Sequence, residues 1–291
     1  MHIPVSTYRV QLRKELGFAA LEPVVAYLDE LGIGDIYASP ITRARTGSSH
    51  GYDVVDPGEL HPELGTLESF HRLMESVQRR RMGWLQDVVP NHMAYDKENR
   101  FLMDVFENGP QSEFYEFFDI EWNHPYPTLR GRVLAPFLGP HYGEALQKGE
   151  IHLSFEKGAF CVSYFDHRFP LSIESYGTVL AQVQQQIRNR LERRDPDYLK
   201  LLGVIYTVRN LGSAASREER IDQTTFVKGV LEDLYQKNGF VRTSLDRSLE
   251  MFSPANPTTE SLALLDHLLS EQYFRFAHWR VASEEINYRR F

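Results

Sequence analysis

Apolar positions follow two rhythms through the first third of the chain. Thr7-Tyr8-Arg9-Val10-Gln11 alternates in the manner of a strand. Leu21, Val24, Val25 and Leu28 then recur at helical spacing, ahead of Gly32, which suits a helix stop. Ile36-Tyr37-Ala38-Ser39-Pro40 predicts a second strand ending in small, turn-forming residues. Thr66 is placed to cap a helix whose apolar face is Phe70, Leu73, Met74 and Val77. Arg79-Arg80-Arg81 falls in its last turn, where positive charge suits the helix dipole. Trp84, Leu85, Val88 and Val89 predict a third, buried strand closed by Pro90, which cannot donate to a sheet ladder. Strand, helix, strand, helix, strand is the alternation of a parallel sheet.

Beyond His92 the rhythm breaks. The stretch to about 149 is rich in Pro, Gly and aromatic residues and too long for a simple connection, so it predicts an inserted subdomain. A hairpin closes it: Ile151, Leu153 and Phe155 alternate, Lys157-Gly158 turns, and Phe160, Val162 and Tyr164 alternate back. Helices are predicted over Thr178 to Arg194, between Arg217 and Lys237 with a stop at Asn238-Gly239, and around Leu262, Leu265, Leu268, Leu269 and Tyr273. The expected division is 1–92 for three β/α units, 93–177 for the subdomain with its hairpin, and 178–291 for a mainly helical insertion. No internal repeat or low-complexity tract appears.

Composition narrows the classes. Hydrophobic content of 42% and charged content of 25% are those of a globular protein with a large core. A formal charge of -8 argues against non-specific binding to nucleic acid or an anionic membrane. The single cysteine, Cys161, forms no intrachain disulfide and fits a reducing compartment. Met1-His2-Ile3-Pro4 lacks the basic and apolar segments of a signal peptide, and no window is long and apolar enough to span a bilayer. The expected location is cytoplasmic.

Two short stretches could carry chemistry. Asp87-Val88-Val89-Pro90-Asn91-His92 places an acid, an amide and an imidazole at the carboxyl end of a strand, the face on which a parallel barrel builds its site. Asp87 and Asn91 could ligate calcium through oxygen, and His92 could bond a substrate hydroxyl. The plainer alternative is that Asp87 caps the strand and His92 is a satisfied core histidine. His50-Gly51-Tyr52-Asp53, after the second strand, shifts the balance. A tight glycine turn there would bring a ring face and two polar groups to the same rim. That suits a pyranose, with one apolar face and a ring of hydroxyls.

Asp87-Val88-Val89-Pro90-Asn91-His92 resembles the first characteristic region of the α-amylase family of glycoside hydrolases and transglycosylases, and its spacing to His50-Gly51-Tyr52-Asp53 and Leu64-Gly65-Thr66 fits. Three further stretches resemble one branch, the maltooligosyl trehalose synthases. They are Ser6 to Leu12, Phe165-Asp166-His167-Arg168-Phe169-Pro170-Leu171, and His278-Trp279-Arg280-Val281-Ala282 with Glu285 to Phe291. The resemblance implies an α/β fold, the amino-terminal part of a (β/α)8 barrel of TIM type with an inserted α+β subdomain after the third strand and a mainly helical insertion. It also implies an isomerising enzyme that turns the reducing-end α-1,4 linkage of a maltooligosaccharide into an α,α-1,1 linkage by retaining intramolecular transglucosylation. By motif, Tyr52 would stack on the donor sugar while His50 and His92 bond its hydroxyls. Asp87 and Asn91 would support the rim, Asn91 being a calcium ligand in some relatives, and Asp53 lines the same loop. No metal or other cofactor is expected in this branch.

The chain departs from that pattern in one large respect. The nucleophile Asp of an Arg-x-Asp strand end, the acid Glu and the His-Asp pair have no match up to Phe291, so no catalytic residue is assigned. Asp96, Asp104, Asp119, Glu121 and Asp166 follow no barrel-strand pattern, and retaining chemistry needs two carboxyls roughly 5 Å apart. Asp166-His167 lacks the Gly-x-Ser-x-Gly elbow of a serine hydrolase, which leaves it a structural role. The expected partners are a maltooligosaccharide and the carboxyl-terminal part of the barrel, with the isolated chain inactive. Two other readings stay open, namely another α-amylase-family hydrolase or glucosidase and a non-catalytic maltooligosaccharide-binding remnant.

Overall fold

The computed structural model describes residues 3–188, 190, 192–213, 216–281 and 285–288. Met1, His2, Ala282, Arg289, Arg290 and Phe291 of the stretches singled out above lie outside these residues, as do Asn189 and Leu191 of the charged segment before Arg194. The chain divides into two compact units, one reaching Arg100 and the other running from Phe101 to Arg289.

In the first unit the elements are β1 (Thr7–Val10), α1 (Phe18–Leu21), α2 (Val24–Glu30), β2 (Asp35–Ala38), β3 (Thr42–Ala44), β4 (Val54–Leu60), α3 (Leu67–Arg79) and β5 (Gly83–Gln86). Strands β1, β2 and β5 form a parallel sheet in the order β1-β2-β5, with Arg9, Tyr37 and Leu85 on one rung. The period of two sorts the faces. Val10, Ile36, Ala38 and Trp84 pack into a core with Phe18, Leu21, Val25, Leu28, Leu73 and Val77 from the helices. Arg9, Tyr37 and Leu85 point the other way, and Tyr37 and Leu85 are each 38% exposed. Thr66 caps α3 as expected, its hydroxyl accepting from Ser69 N–H while the Ser69 side chain bonds back to Thr66 N–H.

The third strand differs from expectation. It ends at Gln86 rather than running on to Val89, and Val88 is 64% exposed. One more backbone bond, from Asp87 N–H to the Ala38 carbonyl at 3.0 Å, finishes the ladder, because β2 itself stops there and offers nothing further to pair with. Gln86 then turns its amide onto the Ser39 and Asp87 carbonyls, satisfying the groups left at the strand end.

The second unit is entered through α4 (Arg100–Asn108) and continues with β6 (Val133–Leu138), α5 (Tyr142–Gln147), β7 (Ile151–Glu156), β8 (Ala159–Tyr164) and β9 (His167–Pro170). Helices α6 (Tyr176–Ile187), α7 (Pro196–Asn210), α8 (Arg217–Lys237), α9 (Gly239–Phe252) and α10 (Thr259–Ser270) follow, then β10 (Phe274–His278). The predicted hairpin is β7-β8, with Lys157 (φ 51°) and Gly158 (φ 78°) both left-handed, as a two-residue turn of that twist requires. A Cβ on Gly158 would also run into the Lys228 carbonyl. Strand β9 extends the hairpin to an antiparallel sheet; Asp166 lies in the turn before it and His167 opens it, the His167 ring centroid 4.1 Å from that of Phe137.

Helices α7 and α9 and strand β10 were not anticipated. Asp195 caps α7, and Asn238 both ends α8 and accepts from Phe240 and Val241 N–H to start α9. Strand β10 pairs in parallel with β6, far earlier in the chain. Asn287, 3% exposed, holds β6 by accepting from Leu134 N–H (2.9 Å) and donating to the Arg132 carbonyl (2.7 Å). From Phe101 to Arg289 the chain packs as one compact unit.

Candidate functional site

The carboxyl ends of β1, β2 and β5 put Arg9, Tyr37 and Asp87 within reach of one another. Arg9 Nη1 donates to Asp87 Oδ2 at 2.8 Å, and its other terminal nitrogen donates to the Tyr52 hydroxyl at 2.7 Å. The Tyr52 hydroxyl donates in turn to Asp87 Oδ2 through a short bond, and Tyr37 OH reaches the same oxygen at 3.3 Å. The Arg9 guanidinium also lies over the Tyr37 ring, 4.2 Å from its centroid. The Tyr52 hydroxyl, opposed by modest burial and supported by Arg9, holds the Asp87 carboxyl below the usual carboxylate range. The same bond to Asp87, together with burial, pushes the Tyr52 phenol up. Asp87 is therefore an ionised anchor for Tyr52.

Tyr52 sits on a loop shaped by Gly51, whose φ of 77° is the left-handed conformation a side chain disfavours. Ser48 clamps that turn, accepting from Gly51 N–H at 3.1 Å and donating to Asp53 Oδ1 through a short bond. Arg45 Nε takes the other Asp53 oxygen at 2.7 Å. Both Asp53 oxygens are thus engaged within the loop. His50 Nδ1 accepts from Tyr52 N–H at 3.0 Å, which places the ring proton on Nε2, where it is available as a donor. The two rings stack with centroids 6.1 Å apart and planes at 29°. His92 Nε2 meets the Tyr52 carbonyl at 3.1 Å.

These residues line an open cleft of about 390 Å³, formed by Arg45, His50, Tyr52, Asp53 and His92 with residues 93–96. Its lining sets the Tyr52 ring beside the His50 and His92 imidazoles and the charged Arg45, Asp53 and Asp96. Asn91 is exposed and does not line the cleft, whereas the other four residues expected to meet a ligand do. Arg9, Tyr37, Arg45 and Ser48 were not singled out from the sequence. The strand register could have found Arg9 and Tyr37, since Arg9, Tyr37 and Leu85 share a rung two residues before Asp87. Among the described residues no group of three or more His, Cys, Asp or Glu side chains is placed to hold a metal ion.

The α-amylase catalytic-domain family model matches residues 22–139, which include the whole cleft. A Mycobacterium tuberculosis protein described as a maltooligosyl trehalose synthase is 38% identical over 170 residues, covering 53% of this chain and 22% of that protein. The chain resembles the amino-terminal part of a maltooligosyl trehalose synthase. In three dimensions it aligns with a DSM5389 glycosyltrehalose synthase over 99% of its length and 28% of that chain, at 25% identity and TM-score 0.60. A maltooligosyl trehalose synthase crystal structure, at 22% identity, shares the fold over 99% of this chain and 27% of its own, with TM-score 0.62. The chain thus spans roughly a quarter of the length of these synthases. The parallel sheet and its helices are of TIM-barrel type.

Proposed function

We propose that this chain is the amino-terminal part of a maltooligosyl trehalose synthase, and that its cleft holds the terminal sugars of a maltooligosaccharide. The observation that carries the reading is Tyr52, fixed at its hydroxyl by Asp87 and Arg9 so that its ring is presented rigidly beside His50. A pyranose laid on that ring would meet the His50 Nε2 donor at its edge, with His92 bracing the loop from the Tyr52 carbonyl. Asp53 and Asp87 serve as supports of this rim, and Asn91 remains a candidate contact from its exposed position. On this reading 1–92 supply the first three β/α units, with the inserted subdomain and the helical insertion after them.

The intact protein would convert the reducing-end α-1,4 linkage to an α,α-1,1 linkage by retaining intramolecular transglucosylation, as a cytoplasmic enzyme without a cofactor. The chemistry around the cleft supports the view that these residues bind rather than cleave. A general acid needs a raised carboxyl, yet Asp87 is held low, and both Asp53 oxygens are tied to Arg45 and Ser48. The nucleophile and the acid would then come from the carboxyl-terminal part of the barrel.

Titrating the chain with maltohexaose by calorimetry, alongside a reducing-end assay, tests both halves. Binding that Tyr52→Ala removes, without loss of reducing ends, is expected. Turnover by the pure chain would contradict the placement of the carboxyls elsewhere, and absence of any binding would remove the cleft's role. Release of free glucose by the intact protein would favour an α-amylase-family hydrolase instead.

A further inference from the structure

The second unit contains a separate polar cleft of about 160 Å³ between α4 and α8. Arg217, Arg220, Thr224 and Lys228 recur at three- and four-residue steps, so they share one face of α8 and line one wall. Arg220 is only 5% exposed, and while its Nη2 lies 2.8 Å from Glu174 Oε1, its Nε has no hydrogen-bond partner. The Thr224 hydroxyl is buried and equally without a partner. An unmade bond on a buried polar group is costly, so a guanidinium donor and a hydroxyl buried in the wall of one small cleft call for a partner.

The lining says what that would be. Its charged residues are Asp104, Glu107 and Glu113 against Arg217, Arg220 and Lys228, a balance that gives neither an anion nor a cation an advantage. Lys228 and Glu107 already neutralise each other at 2.6 Å. The groups left over are the Arg220 Nε, which only donates, and the Thr224 hydroxyl, which donates and accepts, and a ligand hydroxyl can serve both. At about 30 Å³ per molecule the cavity has room for roughly five waters, a number one hexose ring could replace with its own hydroxyls. We infer that this cleft is a second binding site, for a neutral polyhydroxylated ligand the size of a single sugar ring. It shares no residue with the Tyr52 cleft and stands whether or not that cleft binds a glucan.

The test is a titration of the full chain, carrying ¹³C-labelled isoleucine methyl groups, with D-glucose. Ile221, half-exposed, lines the cleft and reports on its occupancy. Its methyl resonance should move saturably with glucose, and Thr224→Val, which keeps the shape and removes the hydroxyl, should raise the apparent Kd about tenfold. Tyr52→Ala should leave the Ile221 response as it is, so a failed Tyr52 cleft and a failed α4–α8 cleft give different results. No movement of Ile221 with glucose would overturn the inference. So would movement with inorganic phosphate alone, or an affinity unchanged by Thr224→Val.

Discussion

One energetic lever in the second unit is the Glu107–Lys228 pair. Its atoms are 2.6 Å apart, with the Glu107 side chain 13% exposed and that of Lys228 28% exposed. Removing one partner of a buried pair costs about 3–5 kcal/mol, because the remaining charge is stranded. Lys228 is reached by some water, so Lys228→Met is expected at the lower end, about 3 kcal/mol at neutral pH. The sign with pH follows from Glu107, whose carboxyl burial pushes up even in the presence of Lys228. A raised folded value means the group's contribution is fully present below the unfolded carboxyl range, near about 4.3, and is lost as pH rises through the folded value. The loss of stability in the variant should therefore fall mostly at neutral and alkaline pH and be small in acid. Adding Glu107→Leu should return most of the loss, since an apolar pair strands no charge. Amide hydrogen exchange in α8 and β8 at pH 4 and pH 8 reads this unit by itself. A Lys228→Met variant equally protected at both pH values would refute the reasoning.

In the first unit, Asp56 is buried and accepts from Arg100 (2.9 Å) and Gly58 N–H (2.9 Å). Arg100→Met should cost about 2 kcal/mol, discounted for the exposed guanidinium and measured by urea unfolding. Burial raises the Asp56 carboxyl, but Arg100 and Gly58 N–H together hold it below its ordinary value, and Asp87 is held low too. Their contribution is present above the unfolded carboxyl range, near about 3.9, and is lost as pH falls through the folded values, so acid unfolding monitored at Trp84 should begin below that range. Tyr52→Phe keeps the ring and removes the bond to Asp87, so maltohexaose binding should weaken several-fold rather than vanish, as calorimetry would show. Gly158→Ala should destabilise the hairpin by at least about 1 kcal/mol in thermal unfolding, from the left-handed turn alone.

How far the sequence could be read follows from the distance between interacting groups. Period-two and helical spacing are local, so α2, α3, β1, β2 and the β7-β8 turn were legible, and so was the capping role of Thr66. Strand β10 was not, because its pairing with β6 is settled some 140 residues away and its own five residues show no flanking turn signal. Helices α7 and α9 were hidden for different reasons: α7 also carries apolar Leu199 and Tyr206 on its exposed face, which blurs its stripe, while the buried face of α9 is interrupted by Ser244 and Ser248. The extent of β5 was misread because Val88 and Val89 are strand-forming by type, while strand length is set by the neighbour that must supply the hydrogen bonds.

The same division runs through the candidate site. His50, Tyr52, Asp53, Asp87 and His92 announced themselves as short local motifs, but the group that orients Tyr52 and Asp87 did not. Arg9 looks in sequence like one polar position of an alternating strand. Only once Thr7–Val10 is registered against Asp35–Ala38, and that strand against Gly83–Gln86, does its guanidinium lie beside both Asp87 and Tyr52. Without Arg9 the Tyr52 hydroxyl would keep its bond to a less compensated carboxylate, and Asp87 would lose the cation that helps to hold it ionised. A lone aromatic ring on a glycine loop is a poor platform, since its rotamer freedom must be lost on every binding event. The Arg9–Asp87 pair removes that freedom before any ligand arrives. The motif residues are thus the contact surface, and the strand register is what makes that surface rigid.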